Sequence, residues 1–169
     1  MDLMRVLTAS IMLFFLFINS ATACKSELKV KAFEGLESVG IFISSLDDDA
    51  KKAGFTEEEL INSIEIKLRQ NGIKGRDIND ISESEPSFLY LRLNVMYIKK
   101  NAHYVYGIDL SFVQPVRLLR NNRVLIAKTW DQNYHGIESP SKIRNTVNGC
   151  LNDLLTEFLN IYHEANPYK

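Results

Sequence analysis

A change of hydrophobic period constrains this chain more than any other feature. Leu89, Leu91, Leu93, Val95 and Tyr97 recur at every second position. That alternation belongs to a strand with one buried and one open face. After a turn at Lys99 to Ala102, Tyr104, Tyr106, Ile108, Leu110 and Phe112 alternate against Val105, Gly107, Asp109 and Ser111. A second turn, Arg120 to Arg123 around Asn121-Asn122, leads into a third strand, Val124 to Tyr134, which carries Trp130. Hairpins joined in succession give an antiparallel meander. Pro115 has no amide hydrogen for a ladder, so a bulge or strand break is expected there. The period then lengthens to 3.6. Ile143, Val147, Cys150, Leu151, Leu154, Phe158 and Tyr162 form one helical stripe, widened by Leu155 and Leu159. Ser139 is expected to cap this helix, with Pro140 in its first turn and Asn166-Pro167 at its end.

Upstream, Ser38 to Leu46 (SVGIFISSL) reads as a buried strand. Thr56 and Glu59 form a T-x-x-E capping box, and Phe55 and Leu60 are placed for a hydrophobic staple. Leu60, Ile61, Ile64 and Leu68 share one helical face, with Ile66 off it. Gly72 and Ile73 then supply a Schellman ending. Gly75 to Ser87 is a polar connection with a short strand near Ile78. Residues 24–37 are an amino-terminal tether or an edge strand. Residues 38–166 are expected to form one α+β domain. Its architecture is a two-layer sandwich: a mostly antiparallel four-stranded sheet with two helices on one face, in the order β-α-β-β-β-α. A chain of 169 residues with 46% hydrophobic composition suits one such domain.

Residues 1–23 read as a signal peptide. Arg5 precedes the apolar run Val6 to Ile18, and Ala21-Thr22-Ala23 offers small residues to a peptidase. The run is short for a membrane span, which needs about 20 apolar residues. The chain is therefore expected to be exported, to a periplasmic or secreted location. Cys24 opens a second route. Ala21 to Cys24 is an imperfect lipobox, lacking the large aliphatic residue three before the cysteine, and a lipid on Cys24 would anchor the domain to the outer membrane. Without lipid, a Cys24–Cys150 disulfide is open to an exported chain.

The net charge of -1 provides no cationic excess for nucleic acid. His103, His135 and His163 lack metal-ligand spacing, and no H-E-x-x-H, G-x-S-x-G or C-x-x-C occurs. Asp47-Asp48-Asp49 fails as a calcium loop, because Lys51 and Lys52 stand where an oxygen ligand and a glycine belong. It reads as a solvated strand end. No catalytic residue, cofactor or metal is expected. One cleft is a candidate: Trp130 with Asp131 and His135 would suit a small ligand or an unfamiliar hydrolase. The leading expectation is a non-catalytic adaptor or assembly module. Its partner would be another envelope protein, with a membrane surface added only if Cys24 is lipidated.

The stretch TEEELINSIEIKLRQNGI (56–73) and the pair Thr129-Trp130 resemble a group of exported bacterial proteins of uncharacterised function. The order of elements and the helix ending LRQNGI are also similar to the lipopolysaccharide-assembly lipoprotein of the outer membrane and to the amino-terminal domain of the Tol translocation protein. The resemblance implies docking onto envelope machinery rather than catalysis. The reading of the amino terminus predicts cleavage immediately before Cys24. Mass spectrometry of the mature protein should find Cys24 first, free or diacylglyceryl-modified, and an intact Met1 would overturn both routes.

Overall fold

The computed structural model describes residues 30–77 and 87–167. Residues 1–23, Cys24 and Ile78 lie outside them. The elements are β1 (Ser38–Ile43), α1 (Asp48–Lys52), α2 (Glu57–Gln70), β2 (Lys74–Asp77), β3 (Phe88–Ile98), β4 (His103–Arg117), β5 (Val124–Glu138) and α3 (Ile143–Ala165). The fold is α+β, and its sheet has five strands in the order β2-β1-β3-β4-β5. The β3-β4-β5 half is the expected antiparallel meander. The other half departs from expectation, because β1 runs parallel to both β2 and β3. β2 is only Lys-Gly-Arg-Asp. It ends one residue before Ile78, near which a short strand was expected, and its parallel pairing comes from register with β1.

Both longer helices cover the sheet face that carries Leu89, Leu91, Leu93, Ile108 and Leu110, all buried. α2 contributes Leu60, Ile64 and Leu68, and α3 contributes Val147, Leu151, Leu154, Leu155, Phe158 and Leu159. The aromatic centre is Phe158. Its ring lies 5.2 Å from Phe33, 5.6 Å from Phe112 and 5.6 Å from Trp130, centroid to centroid. Burying one such side chain contributes about 1.5–3 kcal/mol, and each favourable ring pair adds about 0.5–1.5 kcal/mol.

Phe33 belongs to the tract expected to be a tether or edge strand. Its described end, from Val30 to Gly35, instead winds into a helical turn, and Phe33 is fully buried. Asn166 fixes that turn. Its Oδ1 accepts from the Gly35 amide, and its Nδ2 donates to the Phe33 and Tyr162 carbonyls. The packed domain thus starts before Ser38, and the residue that ends α3 holds its first turn.

The cap of α2 forms half as expected. Thr56 Oγ1 accepts from the Glu59 amide, while the Glu59 carboxylate pairs with Arg144 of α3 instead of reaching back. At the other end Gly72 is left-handed (φ 79) and the Ile73 amide donates to the Leu68 carbonyl, as a Schellman ending requires. α3 starts later than Ser139. The Ser139 carbonyl accepts from Lys142 and Ile143 in a turn, and its hydroxyl is engaged by Glu138 and Ser141. Glu138 serves this junction instead, accepting from the Ser139 amide and from Thr146 Oγ1. The Ser139 amide foremost holds its carboxyl below the usual range.

Asp47-Asp48-Asp49 is a correction of a different kind. These residues lie at the surface, but two of them act as sheet partners. β1 stops pairing with β3 after Leu91, where the Ser44 amide makes the last bond. Farther along that edge, Asp47 Oδ2 accepts from the Val95 amide and Asp49 Oδ2 from the Tyr97 amide, each at 2.9 Å. Asp47 Oδ1 meanwhile caps α1 through the Ala50 amide. The carboxylates thus replace the missing strand.

The Tyr97 amide, followed by Lys52, lowers the Asp49 pKa. A carboxyl lowered in the folded state makes the unfolded chain bind more protons between the folded and unfolded values. The stability it contributes is complete above the ordinary aspartate range and is lost as pH falls through the lowered value. Urea titrations from neutral pH to below about pH 4 should therefore show a shallower acid loss for Asp49→Asn than for the parent. The variant should also be less stable at neutral pH, and an unchanged acid limb would refute the assignment.

Candidate functional site on the open face of the sheet

No helix covers the second face of the sheet among the described residues. Alternation sets what stands there. Because Leu89 and Leu91 face the helices, Phe88, Tyr90 and Arg92 face out, beside Phe42 of β1 and Val113 of β4 through the register Gly40↔Phe88, Phe42↔Tyr90 and Phe88↔Val113. Phe42 stacks on Tyr90 at 5.4 Å and meets Phe88 edge-on at 6.4 Å. With Val113 these side chains wall an apolar recess of about 430 Å³. Phe42 remains 41% exposed. The cluster thus leaves a contiguous apolar patch on the outer face of the sheet. Arg92 borders it, paired with Asp109 at 3.2 Å. A second recess, of about 420 Å³, is polar and lies at the start of β1, with Glu34, Glu37, Arg76, Ser87 and Gln114 in its walls.

The proposed cleft of Trp130, Asp131 and His135 is not assembled. Trp130 points to the helix side and is buried against Phe158. Asp131 and His135 are exposed on the opposite face, paired across the strands with Ser111 and Gly107. Asp131 forms a 3.8 Å ion pair with Lys128. The His135 ring covers Gly107 so closely that a Cβ added there would lie 2.7 Å from Nδ1. One residue along, on the helix side, the Tyr106 ring covers Gly136 in the same way. His135 is thus a cover for a bare stretch of backbone.

Cys150 is half-buried, 3.8 Å from the Tyr106 hydroxyl, and has no disulfide partner among the described residues. Cys24 lies outside the described residues. Burial, followed by the Cys150 contact, pushes the Tyr106 phenol up. Burial and then Glu157 do the same for Tyr134, whose hydroxyl donates to that carboxylate. Among the described residues no group of three or more His, Cys, Asp or Glu side chains is arranged to hold a metal.

Phe42, Phe88 and Tyr90 are not among the site residues expected from the sequence. Their signal was present. In SFLYLRL and GIFI, large aromatics occupy the positions between buried aliphatics, so both faces of β1 and β3 are apolar. A strand that needs only one buried face has no structural use for the second.

Neither a protein-family model nor a curated protein matches the chain. Among solved structures it is similar to a PelC dodecamer from Paraburkholderia phytofirmans, at 16% identity over 72% of this chain and 85% of that one, with a TM-score of 0.44. A minor lipoprotein from Acinetobacter baumannii shows 11% identity over 75% and 90%, with a TM-score of 0.33. Likenesses at this level leave the function to be read from the chain's own surface.

The Gly107–His135 contact gives a test whose sign reverses. Gly107→Ala forces the imidazole aside and should cost about 1–3 kcal/mol in chemical denaturation, as overpacking does. In a His135→Ala background the ring is gone. The same change should then stabilise by roughly 0.5–1 kcal/mol, because alanine loses less chain entropy than glycine in a strand.

Proposed function

We propose that this domain is a non-catalytic binding module of an exported chain, and that it holds another envelope protein against the open face of its sheet. The observation that carries this reading is the recess of Phe42, Phe88, Tyr90 and Val113. Its walls are apolar, it lies on a face that no described helix covers, and it has room for one or two aliphatic or aromatic side chains. The Tyr90 phenol is the one polar side-chain group in its walls, so the recess offers apolar contact first. The outer edge of β5 is the other surface such a module could use. There the strand is bulged at Thr129 and bears Lys128, both of which discourage strand addition. Export by residues 1–23, with Cys24 lipidated or free, belongs to the same reading and would bring the module to its partner.

The test is site-specific photocrosslinking in intact exporting cells. A benzophenone amino acid at Phe42 should yield one discrete adduct, which Tyr90→Ser weakens. The same group at Ile66, exposed on α2 in the helix layer, should not yield that adduct. Equal adducts from both positions, or none from Phe42, would overturn the proposal.

A further inference from the structure

β4 and β5 outrun the sheet. β3 begins at Phe88 opposite Val113, yet β4 and β5 continue as a pair through Pro115↔Ile126 to Arg117↔Val124. The result is a projecting two-stranded arm closed by Leu118 to Arg123, where the Leu118 amide donates to the Arg123 carbonyl and Asn122 takes φ 58. Its base is fixed. Gln114 Nε2 donates to the Ala32 carbonyl and to Thr129 Oγ1.

Two properties of this arm converge. From Gln114 to Trp130 the chain carries Arg117, Arg120, Arg123 and Lys128 and no Asp or Glu, although the whole chain has a net charge of -1. The three arginines form no ion pair among the described residues. The arm is also apolar where it is most exposed. Leu119, at the tip, is 101% exposed, and the consecutive Val124, Leu125 and Ile126 are all exposed. Consecutive strand residues point to opposite faces, so both sides of the ribbon are apolar. Docking on a flat protein surface would use one side. Immersion uses both.

We propose that the β4–β5 arm inserts into the surface of an anionic lipid bilayer. Leu119 and the Val124 to Ile126 run would enter the boundary between headgroups and acyl chains, and the guanidinium groups would take lipid phosphates as partners. The bare backbone edges of the arm would remain in the hydrated headgroup zone, since unpaired amides cannot enter hydrocarbon. This inference is independent of the recess on the open face and would orient that face beside a membrane.

Val6 to Ile18 could itself seek lipid in the full chain, so bulk sedimentation with vesicles is ambiguous. The readout belongs at the arm tip. Leu119→Trp places an indole at a fully exposed site, and native Trp130, already buried, supplies a constant background. On phosphatidylglycerol vesicles the emission of this variant should move to the blue. It should not move on phosphatidylcholine vesicles, and high salt should reverse the shift. Replacing Arg117, Arg120 and Arg123 together by glutamine should raise the lipid concentration for half-maximal shift roughly a hundredfold, at about 1 kcal/mol per cation. The unchanged Trp130 background in that variant shows that it is folded. An emission that ignores both vesicles, or responds equally to both, overturns the proposal. A blue shift that grows with protein concentration in the absence of lipid also overturns it, in favour of self-association.

Discussion

Three separate segments of the chain meet on the ring of Phe158. It touches Phe33 from the first turn, Phe112 from β4 and Trp130 from β5. Segments distant in sequence are thus fixed by one α3 side chain. The consequence reaches the surface. Because Trp130 is committed to this contact, strict alternation sends Asp131 and His135 to the other side of the sheet. A core requirement therefore decides that the three cannot meet, however suggestive their closeness in sequence.

What could be read in the sequence was what local chemistry decides. Thr56, Gly72 and Ile73 mark α2 through hydrogen bonds closed within a few residues. The stripe from Ile143 to Tyr162 and the alternation from Leu89 to Phe112 report burial directly. Most of the misreadings share one cause: a residue whose partner is far along the chain. Lys74 to Asp77 takes its parallel pairing from register with β1. Asp47 and Asp49 look like solvated acids until β3 presents amides 48 residues away. Glu59 leaves its own helix end for Arg144. Ser139 differs, because the residue that engages its hydroxyl is its neighbour Glu138.

The candidate site was legible in part, for the same reason. Phe42, Phe88 and Tyr90 are visible as surplus aromatics on strands whose other face already fills the core. That they converge depends on the parallel pairing of β1 with β3, which nothing local announces. Pro115 shows the same dependence. A proline in the middle strand of the meander suggested a bulge or a break there, but β3 begins opposite Val113, so at Pro115 β4 has a single neighbour among the described residues and the strand continues.

The irregularity lies instead on the facing strand. Phe112 pairs with Trp130 and Val113 with Lys128, so Thr129 is one residue more than the ladder needs. That surplus residue resets the phase of β5. From Trp130 onward the strand is written in the frame of the core; from Lys128 backward it is written in another, as a frameshift separates two messages on one strand. Were Thr129 instead to pair with Val113 in a regular ladder, every residue of β5 from Lys128 backward would fall on the opposite face of the arm. The bulge alone therefore decides which of Val124, Leu125 and Ile126 lies on which side of the arm, while Trp130 keeps its place on Phe158.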